Sequence, residues 1–189
     1  MSERDNLIRL LEILQARSVL RGDFTLASGK KSNVYVDARL TTLHAPAMPL
    51  IGQCFLARMA ARGWRPDAVG GLTMGADPIV TAVSRESLDH ADRPIDGFLI
   101  RKEAKGHGRG RFVEGLPSGQ GLSAVIVEDT STTGGSTIKA IERAREFGFH
   151  VLGAIALVDR EEGGREAIEA AGCGFDRIFT LKQLLGEPG

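Results

Sequence analysis

The chain has 189 residues, enough for one domain with a real core and short for two, so a single domain over residues 1–189 is expected. Lys plus Arg equals Asp plus Glu at 24 each, so no global charge advertises a nucleic acid or an anionic membrane surface, and any bound anion must be met by local clustering. Cys54 and Cys173 lie far apart without CxxC spacing, Met1-Ser-Glu-Arg-Asp5 holds no apolar signal core, and no apolar run approaches a membrane span; together these point to a reducing cytoplasm.

Leu7, Leu10, Leu11 and Leu14 recur at helical spacing after Ser2 and Asp5, which predicts a capped amphipathic first helix. Phe24-Thr25-Leu26 and Val34-Tyr35-Val36 flank Ser28-Gly29-Lys30-Lys31 as a hairpin. Ala27, Lys30, Lys31, Tyr35, Asp37 and Arg39 are too polar as a set for a core, so this pair reads as a flap over a site. Leu50, Ile51, Phe55 and Met59 give residues 47–62 one apolar helical face, ended by Gly63. Ala68-Val-Gly-Gly-Leu72 fits a buried strand, and Asp77-Pro78 fits a helix N-cap and first turn. The intervening Thr73-Met-Gly-Ala76 is a strand-to-helix loop at the ligand-binding edge of a parallel sheet.

Phe98-Leu99-Ile100 is another short strand. After it stand Arg101, Lys102, Lys105, His107, Arg109 and Arg111, spaced by Gly106, Gly108 and Gly110, a mixture of charge and backbone freedom suited to a lid over a polyanion. Single-strand nucleic-acid binders interleave aromatics with cations, and only Phe112 is near.

Apolar order returns at residues 123–127 and breaks into Glu128, Asp129, Thr130, Ser131, Thr132, Thr133, Gly134, Gly135 and Ser136, followed by a helix over residues 138–147 that Gly148 stops. Glycines let the backbone approach an anion, the hydroxyls donate, and the helix amino end presents free N–H groups. A phosphate fits there. Glu128 and Asp129 would repel it, so they are expected to face solvent and the hydroxyls of an attached sugar or a Mg²⁺ ion. The plain alternative is a strand-to-helix turn with Ser136 as an ordinary N-cap. Residues 151–158 form a buried strand, 165–171 a short helix ending at Gly172, and Leu181, Leu184 and Leu185 a last helical turn. The alternation predicts an α/β fold with a mostly parallel central sheet flanked by helices.

Two carboxylates after an apolar strand, then Thr130-Ser-Thr-Thr-Gly-Gly135, resemble the phosphoribosyl pyrophosphate (PRPP) motif of type I phosphoribosyltransferases. Phe24-Thr-Leu-Ala-Ser-Gly-Lys-Lys-Ser32, Arg101-Lys-Glu-Ala-Lys-Gly-His-Gly108 and Val158-Asp-Arg160 narrow the resemblance to the orotate phosphoribosyltransferases. It implies transfer of phosphoribosyl from PRPP to orotate, with a small N-terminal flap or hood. By the same resemblance Arg101, Lys102, Lys105 and His107 close on the pyrophosphate, with Lys105, His107 and Asp129 as catalytic groups. Glu128 and Asp129 hold the ribose, Thr130 to Ser136 the 5′-phosphate, and Thr132 and Arg160 the orotate.

Mg²⁺ would be carried mainly by PRPP; His44, His90, His107 and His150 are scattered without HExxH, and no protein metal site is expected. The resemblance also implies a homodimer whose lids act in trans, with no nucleic acid or membrane as partner. Two positions depart from better-known bacterial members: Ala27 stands where they carry Lys, and Thr73-Met74-Gly75 where they carry Tyr-Lys-Gly. Lys30 and Lys31 are the candidate substitutes for the first. For Arg160, the alternative is a surface arginine paired with Glu161 or Glu162. At the level of function, the alternatives are a purine phosphoribosyltransferase and a nucleotide-sensing regulator of the same fold.

Overall fold

The structure, a computed structural model, describes residues 2–25, 31–103 and 111–187. Ser2 opens α1 (Glu3–Ser18) with the expected capping box: its hydroxyl accepts from the Asp5 N–H, and the Asp5 carboxylate accepts from the Ser2 N–H. Leu10 and Leu14 of this helix are fully buried. The chain turns directly into β1 (Val19–Thr25), which pairs antiparallel with β2 (Lys31–Val36) in a sheet of their own. This flap is longer than the predicted hairpin, because Val19, Leu20 and Arg21 find ladder partners in Val36, Tyr35 and Val34. Ala27 and Lys30 lie outside the described residues.

Next come α2 (Arg39–Thr42), α3 (Met48–Ala61), β3 (Ala68–Leu72), α4 (Asp77–His90), β4 (Asp96–Ile100), β5 (Val113–Glu114) and β6 (Ser123–Ser131). The chain continues with α5 (Gly135–Phe147), β7 (His150–Asp159), α6 (Gly164–Ala170), β8 (Phe175–Thr180) and α7 (Leu181–Leu185). The second sheet has the order β5-β4-β3-β6-β7-β8 and is parallel except for the edge pair β4 and β5.

Period-two alternation builds the two faces of this sheet. Val69, Val125, Val127, Ile155 and Leu157 join Leu14, Ile51, Phe55, Ile79 and Val83 in one core, on the side of α1, α3 and α4. Their neighbours Ala68, Ala124, Ile126, Ala154 and Ala156 join Ile141, Ala144 and Ile168 in another, beneath α5 and α6. The expected mostly parallel sheet with helices on both faces is therefore present. Connections run from β3 outward to β4, then back across to β6 on the other side of β3. That reversal places a crevice at the carboxyl ends of β3 and β6, where ligands of such sheets bind.

Three details depart from expectation. Strand β6 continues through Glu128 and Asp129 to Ser131, since β7 offers partners as far as Ser131↔Asp159. Asp77 is the first residue of α4 and caps nothing. Strand β8 stands outside the predicted set; its Phe175, Ile178 and Phe179 are all buried. No helix among the described residues is long and apolar enough to cross a membrane.

Candidate active site

Glu128 and Asp129 are consecutive on a strand, so their side chains leave on opposite faces. Glu128 turns beneath α5. It is 6% exposed, and its Oε2 accepts hydrogen bonds from Ser136 Oγ at 2.8 Å and Thr137 Oγ1 at 3.2 Å. The expectation that both carboxylates face solvent is corrected for Glu128, whose side of β6 is roofed by the first turn of α5. Asp129, half-buried, faces the loop after β3. Its Oδ1 accepts from the Thr130 N–H at 2.7 Å, and a Cβ at Gly75 would lie 2.7 Å from the same oxygen. Only a residue without a side chain lets the 73–76 loop approach the carboxylate this closely. The Thr73–Met74 peptide in that loop is cis.

The two acids share one electrostatic problem. Burial first, and the neighbouring charge of Asp129 second, push Glu128 up to about 7, against the opposing pull of the Ser136 and Thr137 hydroxyls. Burial likewise raises Asp129, with the Thr130 N–H and the nearby positive charge of Arg39 opposing. Arg39 is oriented by Asp37, whose Oδ1 accepts from its Nε at 3.1 Å and its backbone N–H at 3.2 Å. The chain end of the flap thus reaches the carboxylate pair electrostatically. In the sequence, the only signal for Arg39 is its membership of the polar flap set.

The residues expected to form a phosphate cup divide. Gly134 adopts φ +80° and no side chain caps α5, so the plain alternative of Ser136 as an ordinary N-cap is excluded and the first-turn N–H groups keep no side-chain acceptor. Thr133, Gly135 and Ser136 are exposed there, and Thr130 and Thr132 are half-buried. Ser136 commits its hydroxyl proton to Glu128, leaving its N–H to the cup. Ser131 departs from expectation: it is 1% exposed, packed against Gly164, and its hydroxyl lies inside the fold.

Arg160 follows the end of β7, and its N–H donates to the Ser131 carbonyl at 3.0 Å, which sets it beside Thr132. Its Nη2 pairs with Glu162 at 2.8 Å. It is no surface arginine, however: the side chain is 13% exposed, and its Nε is buried without a hydrogen-bond partner. A guanidinium held on one side and unsatisfied on another suits a planar anion.

At the end of β4, the Arg101 N–H donates to the Phe112 carbonyl at 2.8 Å, closing the stem of the cationic segment, and its side chain pairs with Glu114 at 3.6 Å. Lys102 is exposed, and its carbonyl accepts from Lys139 Nζ of α5 at 3.1 Å. Lys105 and His107 lie outside the described residues. Among the described residues no cluster of three or more His, Cys, Asp or Glu side chains forms a metal cage.

The switch point of this parallel sheet carries a carboxylate pair and an uncapped helix start, and residues 43–178 match the model of the phosphoribosyl transferase domain, which makes the chain a member of that class. The chain is 46% identical over 176 residues to the orotate phosphoribosyltransferase of Corynebacterium glutamicum, covering 93% of this chain and 91% of that one. Its counterpart in Aquifex aeolicus is 43% identical over 185 residues, with 98% and 99% covered. The crystal structure of Mycobacterium tuberculosis orotate phosphoribosyltransferase in complex with PRPP superposes with a TM-score of 0.77 at 36% identity, over 95% of this chain and 92% of that one. The chain belongs to the orotate phosphoribosyltransferase family.

A raised carboxyl pKa favours the protonated form in the folded state. The contribution of Glu128 to stability is therefore full below its ordinary value of 4.5 and is lost as pH rises through about 7. Thermal unfolding of the free protein should show Tm declining across that window relative to the Glu128→Gln variant. Parallel Tm profiles for the two proteins would contradict the raised pKa.

Proposed function

We propose that this chain transfers the 5-phosphoribosyl group of PRPP to N1 of orotate, giving orotidine 5′-monophosphate and pyrophosphate, a step of pyrimidine nucleotide (UMP) synthesis in the cytoplasm. The observation that carries the reading is the Glu128–Asp129 pair at the carboxyl end of β6, beside the uncapped start of α5 and one strand from β7, which Arg160 follows. The names of the relatives agree with it.

In this reading the first-turn N–H groups of α5, with Thr130, Thr132 and Thr133, hold the 5′-phosphate, and the helix dipole favours its charge. Asp129 accepts from the ribose hydroxyls, while Glu128 braces the cup through Ser136 and Thr137. A Mg²⁺ ion fits as a guest of the substrate: Asp129, half-buried on the open side of β6, offers hard carboxylate oxygens, while Glu128 is committed to Ser136 and Thr137 beneath α5. Bound with PRPP, it would neutralise pyrophosphate charge. As the C1′–O bond stretches, the leaving group gathers negative charge, which Lys102, Lys105 and His107 meet, with Arg101 at the stem. Electrostatic stabilisation of this kind is the largest single contribution in many enzymes. Arg160 and Thr132 hold orotate, already an anion, with N1 toward C1′. Incubation with PRPP and Mg²⁺ should consume orotate and spare hypoxanthine, adenine and uracil. Arg160→Ala should raise the KM for orotate about tenfold or more, with a much smaller change for PRPP. Turnover of a purine in place of orotate would overturn the reading, and equal KM changes would move Arg160 out of the base site.

The working unit in this reading is a homodimer in which each lid serves the partner's site. Leu40, Leu43 and Met74, exposed apolar side chains on elements that border Asp129, support an interface there. Mixing inactive Lys105→Ala with inactive Asp129→Asn protein should restore activity, approaching about a quarter of wild type if chains pair at random under two-fold symmetry. No recovery would assign each lid to its own chain.

A further inference from the structure

Arg177 stands on β8, opposite Ala156 of β7, and has no part in the reaction described above. Its guanidinium nevertheless reaches the end of β7, where Nη1 lies 3.0 Å from Asp159 Oδ2 and Nη2 lies 3.7 Å from Glu161 Oε1. Asp159 is 1% exposed, and both of its oxygens are committed: Oδ2 to Arg177, and Oδ1 to the Glu161 N–H at 2.9 Å. Glu161 has φ +57°, and it is the one non-glycine residue with positive φ among the described residues. Lys182 Nζ of α7 approaches its other carboxylate oxygen at 3.9 Å.

These contacts enclose Arg160 in sequence. A left-handed backbone at a residue with a side chain persists only where its surroundings over-determine it. Here the Asp159 carboxylate holds the Glu161 N–H while Arg177 holds both acids. A buried carboxylate in turn needs a charged or hydrogen-bonding partner to stay where it is. One guanidinium from the neighbouring strand therefore fixes the turn from both sides of Arg160, and the direction of that turn decides where the Arg160 side chain emerges. Arg160 itself has a backbone bond to Ser131 and a head-group bond to Glu162, neither of which fixes the chain beyond it.

We propose that Arg177 is a positioning residue for the base-binding side of the site: through Asp159 and Glu161 it holds the backbone on which Arg160 stands, and thereby sets affinity for the carboxylate-bearing acceptor without touching either substrate. This rests on the assignment of Arg160 to orotate made above.

Steady-state kinetics on Arg177→Met, Arg177→Lys, Arg160→Ala and the Arg160→Ala/Arg177→Met double variant test it. Arg177→Met should raise the KM for orotate by about fivefold to tenfold while kcat and the KM for PRPP stay within about twofold. Arg177→Lys, which keeps the charge, should recover most of the loss. In the Arg160→Ala background Arg177→Met should add nothing, because a residue that acts through another has no effect once that other is gone. If Arg177→Met strands Asp159 and the protein fails to fold, the Asp159→Asn/Arg177→Met pair removes both charges together and carries the same expectation. Equal changes in both KM values, or additive effects with Arg160→Ala, would overturn the proposal. A silent Arg177→Met beside a responsive Arg160→Ala would overturn this inference alone. An Arg160→Ala variant with normal orotate KM would overturn the base-site reading and this inference with it.

Discussion

Two adjacent carboxylates at the end of one strand, driven toward protonation by burial and, at Glu128, by its neighbour's charge, set the terms for everything around them. On a strand, consecutive side chains diverge, so the pair splits its duties. Glu128 goes inward and ties β6 to the first turn of α5 through Ser136 and Thr137, at the helix start proposed to hold the phosphate. Asp129 goes toward the crevice, where Gly75 makes room for it and Arg39 lends it positive charge. The free site thus stores an unfavourable charge arrangement. In the proposed reading, a ligand that brings hydroxyl donors or a cation would relieve it at the same atoms.

The sheet makes such a pair possible. Strand β6 is flanked by β3 and β7 and covered on both faces, so its carboxyl end is anchored well enough to hold two acids in place. The reversal of strand order at β3 and β6 opens the crevice beside them. From the far side, the β7–β8 edge contributes Arg160 on a turn pinned by Asp159 and Arg177. Rigid strands thus carry the groups that must be placed accurately.

Much of this is legible in the sequence, and the failures have physical causes. Periodicity and glycine breaks locate the first helix and strands β3, β4, β6 and β7 because those segments bury regular apolar patterns. The hydroxyl-rich run marks the strand-to-helix junction at the end of β6, and the structure does place an uncapped helix start there. Sequence spacing does not reveal which side of a strand an extra helix roofs, so Glu128 reads as solvent-facing and Ser131 as part of the cup when both are buried. Strand β8 escapes because Asp176 and Arg177 interrupt its apolar pattern; both are tied up in ion pairs that only the fold brings together. Arg39 is hidden for the same reason, since its bearing on Asp129 is a contact of space and not of sequence.

Calorimetric titration of the free protein with PRPP and Mg²⁺, in buffers of differing ionisation enthalpy near pH 7, reads the proton balance of the carboxylate pair directly. Binding that demands both acids ionised should release up to about one proton per site, and Glu128→Gln should abolish that release. An identical proton count in wild type and Glu128→Gln, or proton uptake on binding, would contradict a site organised around the relief of that charge.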